Sequence, residues 1–108
     1  MRIITDLRKH ELLRLLKNLY YLAKKDDFQN YKKLKKIYDN LLFDIFGNFK
    51  HGEEGFFWDK ARNGIDTIFT LRWWSKALPI ADAEREKKVK LQVDESSVRI
   101  KKLEKYLK

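Results

Sequence analysis

Acidic and basic residues two positions apart are where this sequence comes nearest to catalytic chemistry. In "EREKKVK", Glu84, Glu86 and Lys88 form an acid-x-Lys unit. On a strand, and joined by an upstream acid such as Asp66 or Asp82, such a unit can hold a divalent cation for phosphodiester hydrolysis. On a helix the same residues make an i,i+4 pair of Glu84 with Lys88, which is the commoner use of such spacing. His10 and His51 are not at metal-ligand spacing, and the chain has no cysteine to accompany them, so they are read as surface residues. There is no glycine-rich phosphate loop and no nucleophile elbow. The expectation is a protein without enzyme activity, resident metal or cofactor, with a metal-dependent nuclease as the remote alternative.

Binding chemistry is better supplied. The stretch "TLRWWSKALP" sets Trp73 and Trp74, two of the three tryptophans, between Arg72 and Lys76. Rings that stack on bases, beside cations that track phosphates, are what single-stranded nucleic acid requires. Lys32, Lys33, Lys35 and Lys36 form one basic cluster and Arg85, Lys87, Lys88 and Lys90 another. Each can contact several phosphates, with strong salt dependence. The expected nucleic-acid-binding residues are Lys32, Lys33, Lys36, Arg62, Arg72 and Lys76 for phosphates, with Trp73 or Trp74 for stacking.

The same residue types also make protein hot spots, and a tryptophan pair can equally be core. Helical geometry divides the pair. Trp73 falls about 60° from the direction set by Trp58, Ile65 and Phe69, and Trp74 lies near the opposite side. Arg62, Arg72 and Lys76 fall inside the core arc. A guanidinium there meets an acid, Asp39 or Asp44 in the case of Arg72, or opens onto an anion.

The charge agrees with a polyanionic partner. Twenty-five Lys and Arg stand against sixteen Asp and Glu, giving +9 over 108 residues, with the excess at both ends of the chain. Such a field attracts nucleic acid or an acidic protein, although lysine-rich faces also serve solubility alone. No helix-turn-helix, zinc-finger or ribonucleoprotein signature occurs, so sequence-specific readout has no support. The absence of cysteine excludes disulfides, and no run approaches the roughly 18 apolar residues of a membrane span. "MRIITDLRKHELL" lacks a signal-peptide core, and a cytoplasmic location without membrane contact is expected.

These residues must be positioned by helices. Leu12, Leu15, Leu16, Leu19, Leu22 and Ala23 share one arc, predicting a helix from a cap at Thr5 or Asp6 to about Lys25. Asp26 or Asp27 caps the next, to about Phe46, with a seam of Tyr31, Leu34, Tyr38, Leu41 and Ile45. "GNFKHGEEG" is a loop. Residues 57–73 read as a helix with Trp58, Ala61, Ile65, Ile68 and Phe69 inward, and Gly64 then marks a close helix crossing or a kink. The alternative is a hairpin turning at Asn63-Gly64. Val89, Val93, Ser96, Ile100, Leu103 and Leu107 form a heptad-like seam, whereas "VKLQV" and "VRI" alternate as a short hairpin would over about 88–100.

Over single helices, "ARNGIDTIFTLRWWSKAL" resembles a helix of GINS replication subunits, and "TDLRKHELLRLLKNLY" resembles the small helical subunit of type III CRISPR complexes. Neither covers much more than one helix, and no residue is carried over. The fold expectation is mainly α, one domain over 1–108 as a bundle of three to four helices with a basic C-terminal helix or arm at about 80–108. An α+β fold with a C-terminal hairpin is the alternative. The function expectation is an accessory protein binding single-stranded DNA or RNA without strong sequence specificity. The alternative is an interaction or assembly subunit recognising an acidic protein, and a continuous 89–107 seam must be covered either by the chain's own bundle or by a second copy in a homodimer.

Overall fold

The computed structural model describes residues 2–73 and 82–107. Helix α1 spans Arg2–Lys24, α2 Phe28–Phe46, α3 Glu54–Trp73 and α4 Asp82–Glu104, and a 3-10 turn covers Lys105–Leu107. Among the described residues there is no strand, so the fold is a small helical bundle and neither hairpin alternative forms.

The predicted arc of α1 is its buried face: Leu12, Leu15, Leu16, Leu19 and Ala23 have at most 4% of their surface exposed. Each large aliphatic side chain so buried stabilises the fold by about 1.5–3 kcal/mol. The helix begins at Arg2 and not at a cap on Thr5 or Asp6, which both lie inside its opening turns. A capping residue type marks a helix start only where the chain before it leaves the helix, and here the helix continues upstream to Arg2.

At the other end, the Asp26 N–H bonds to the Ala23 carbonyl and the Asp27 N–H to the Leu22 carbonyl, with Asp26 at φ +59°. This is a Schellman stop with aspartate in the left-handed position that glycine usually takes. Asp27 immediately caps α2, accepting from the Asn30 N–H at 3.2 Å and its side-chain amide at 2.8 Å. These bonds hold the Asp27 carboxyl below its ordinary value. The turn is therefore too short for anything but an antiparallel pair.

Helix α2 buries Tyr31, Tyr38 and Leu42, with Leu34, Leu41 and Ile45 half-buried beside them. It crosses α3 in antiparallel sense, the Tyr38 hydroxyl donating to the Trp58 carbonyl at 2.7 Å. Helices α1 and α3 run parallel. Lys9 meets Glu54 at 3.0 Å at one end, and Arg72 reaches the last carbonyls of α1 at the other.

Gly64 explains the contact of α3 with α4. A Cβ there would stand 2.4 Å from the Arg99 guanidinium, and the Gly64 carbonyl accepts from Gln92 Nε2 at 3.1 Å. The space that a side chain would take at Gly64 is thus filled by the ends of two α4 side chains.

Val89, Ser96, Ile100 and Leu103 are buried, and Val93 and Leu107 pack against the same core. The seam over 89–107 is consequently covered by the chain's own helices, one of the two covers expected for it. Burying it against α1 and α3 outweighs the local alternation of "VKLQV". Among the described residues no helix is long and apolar enough to cross a membrane.

Candidate nucleic-acid interface

The N-terminal turns of α2 and the C-terminal turns of α3 leave a cleft of about 480 Å³ between them, lined by Phe28, Tyr31, Lys32, Lys35, Asp66, Phe69, Thr70 and Trp73. The antiparallel crossing puts these stretches side by side. Phe28 follows directly on the Asp27 cap, so it emerges at the helix end with 41% of its surface exposed, and Trp73 closes α3 with 54% exposed.

The rings form a continuous aromatic wall. Phe28 meets Phe69 edge-on at 5.3 Å between centroids, Tyr31 lies 4.6 Å from Phe69, and the Phe28 and Trp73 rings are 6.3 Å apart and tilted by 46°. Lys32 Nζ lies over the Phe28 ring at 5.6 Å. The Trp73 indole N–H donates to Asp26 at 3.2 Å, which orients the ring without covering its face.

Beneath the rings runs a polar network. The Tyr31 hydroxyl donates to Asp66, and Lys35 meets the same carboxylate at 3.3 Å. Burial, reinforced by the Asp66 charge, raises the Tyr31 hydroxyl far above its ordinary range, so it stays a neutral donor. Arg62 contacts Asp39 at 2.9 Å, Asp59 at 3.3 Å and Asp66 more closely still, and only 11% of its side chain is exposed.

The expected residues separate accordingly. Lys32 and Trp73 line the cleft, Lys36 stands one turn beyond Lys32 on an exposed position, and Lys33 is exposed but turned about 100° away from Lys32 around the helix. Arg62 and Arg72 are engaged within the fold. Arg62 is consumed by three carboxylates, among them the Asp39 that had been matched with Arg72. Arg72 instead donates to the carbonyls of Ala23 and Lys24, completing the C-terminus of α1, because the parallel packing of α1 and α3 brings the two helix ends together. Trp74 and Lys76 lie outside the described residues.

Phe28, Tyr31 and Phe69 were missed as site residues, and Lys35 entered only as a member of the basic cluster. Their signal was present in the i, i+3, i+4, i+7 spacing of Phe28, Tyr31, Lys32 and Lys35, which places ring and cation on one face of α2.

The nuclease unit is not assembled. It lies on helix α4, where positions two apart diverge by about 200°, so Glu86 and Lys88 face different ways. Asp82 pairs with Arg85, and Asp66 is engaged in the cleft. Among the described residues no group of three or more His, Asp or Glu is placed to hold a metal ion. His10 and His51 are exposed, the latter packed on Phe56 at 4.3 Å. In the second basic cluster, Lys87 and Lys90 border a shallow depression with Lys24 and Arg72.

No family model, curated protein or solved structure matches the chain.

Proposed function

We propose that the protein is a non-catalytic accessory factor that binds single-stranded DNA or RNA without strong sequence specificity, through the cleft between α2 and α3. One observation carries this reading: an accessible tryptophan and phenylalanine, on a chain of net charge +9, share a cleft with two lysines. Every base has a π-face, so Trp73 and Phe28 accept any of them, while Lys32, Lys35 and Lys36 meet the backbone. Arg62 takes no part, since its charge is spent within the fold.

The test is an oligonucleotide titration at several salt concentrations. About three phosphate contacts to a single strand give a slope near −2 in log K against log salt, and a flat response refutes the phosphate contacts. Trp73→Ala should keep the helical spectrum and lose about 1–3 kcal/mol of binding for the stacked base. An acidic polypeptide that binds as tightly as the oligonucleotide, with no loss on Trp73→Ala, would instead favour the reading as an interaction subunit for an acidic protein.

A further inference from the structure

At the opposite end of α3 lies a second groove, about 240 Å³, lined by Phe57, Lys60, Arg99, Lys102, Leu103 and Tyr106. It repeats the chemistry of the first cleft with different residues. Phe57 and Tyr106 expose 39% and 51% of their surfaces, three cations surround them, and no carboxylate lines the groove. Arg99 meets Glu95, which lies outside the lining, at 3.8 Å. Two accessible rings ringed by positive charge fit a planar anionic ligand.

The surface between the two clefts is continuous in character. From Trp73 back to Phe57, the accessible surface of α3 winds about half-way around the helix through Thr70, Thr67, Asn63 and Lys60, which offer hydroxyl, amide and ammonium groups. The flanking carboxylates, Asp59 and Asp66, share the Arg62 guanidinium with Asp39, and Asp66 also meets Lys35. We infer that the Phe57/Tyr106 groove is a second nucleotide-binding station, and that one single strand runs along α3 from the Trp73 cleft to this groove. This rests on the proposed function of the first cleft.

The geometry sets a length. Phe57 and Trp73 are sixteen positions apart, about 24 Å along the helix axis and about 160° around it, so a strand that winds over the surface at about 3.4 Å per nucleotide needs about eight to nine nucleotides. A four-nucleotide strand occupies one station, and a ten-nucleotide strand reaches both, so the second contact is made intramolecularly.

Labelled oligothymidylates of four and ten nucleotides, titrated at low salt against wild type, Phe57→Ala/Tyr106→Ala and Trp73→Ala, decide the matter. The ten-mer should bind wild type at least about tenfold more tightly than the four-mer. Phe57→Ala/Tyr106→Ala should remove most of that gain and change the four-mer affinity by less than about twofold. If the gain survives loss of these rings while Trp73→Ala still weakens both strands, the second station is wrong and the first cleft stands. If wild type binds neither strand, both readings fall. A protein that is dimeric alone, and monomeric without the two rings, would assign the groove to a second copy and overturn the inference. Should circular dichroism show the ring variant unfolded, Lys60→Gln/Lys102→Gln replaces it with the same expected loss of length dependence.

Discussion

A guanidinium that faces three carboxylates has no charge to offer a phosphate, and Arg62 is that residue here. Its worth lies in holding α2 to α3 beneath the aromatic cleft. Arg62→Ala should cost about 2–3 kcal/mol in urea unfolding, below the about 3–5 kcal/mol of a fully buried pair, because the carboxylates left behind are 26–41% exposed and can hydrate. Asp39 tells the other half of this network. Burial lifts its carboxyl above the ordinary value, and Arg62 and Lys35 pull it down without cancelling the lift. Its folded value therefore exceeds its unfolded one, so the unfolded chain gives up this proton first as pH rises from about 4, and this group's contribution to stability falls until the folded value is passed. Asp39→Asn should make the slope of stability against pH just above 4 less negative than in wild type, and an unchanged slope contradicts the account. Asp27 has the opposite sign: its lowered carboxyl contributes stability above about pH 4 that is lost as pH falls through the folded value.

Between elements, the contact of α3 with α4 turns on Gly64. A methyl group there would overlap the end of the Arg99 side chain, which is flexible, and would sit 3.3 Å from Gln92 Nε2. The gain in helix propensity over glycine is about 1 kcal/mol, so the two effects nearly offset. Gly64→Ala should be close to neutral in wild type and should stabilise by about 1 kcal/mol once Arg99→Ala has cleared the space, a coupling that a double-mutant cycle measures directly. That Gly64 marks a crossing was legible in the sequence, as were the inner faces of all four helices, because each face is set by apolar periodicity within one element. The Asn63-Gly64 dipeptide lost to the burial of Trp58, Ala61, Ile65 and Ile68 on a single arc. The fates of Arg62 and Arg72 were not legible, since which acid or carbonyl faces a cation depends on how helices distant in the chain lie against each other. Phe28 was legible only in part: its spacing with Tyr31, Lys32 and Lys35 puts ring and cation on one face of α2, but only the arrival of α3 makes that face one wall of a cleft.

At the level of the whole molecule, the alternation of helix direction closes the 89–107 seam inside the chain, and the net charge of +9 sets copies against one another. Sedimentation at micromolar concentration should therefore give a monomer, and a stable dimer would mean that an exposed face outside this seam is in use. The bundle also separates two of its tryptophans by environment: Trp58 is fully buried with its indole N–H on Glu54 at 3.2 Å, whereas Trp73 stands in the cleft, half in solvent. With Trp74 replaced by phenylalanine, fluorescence divides into two channels. Emission from Trp58 should be blue-shifted and deaf to acrylamide until the core opens, while emission from Trp73 should be red-shifted, quenched by acrylamide, and shielded when a base stacks on it. The molecule thus reports occupancy and unfolding through different fluorophores, without an added label.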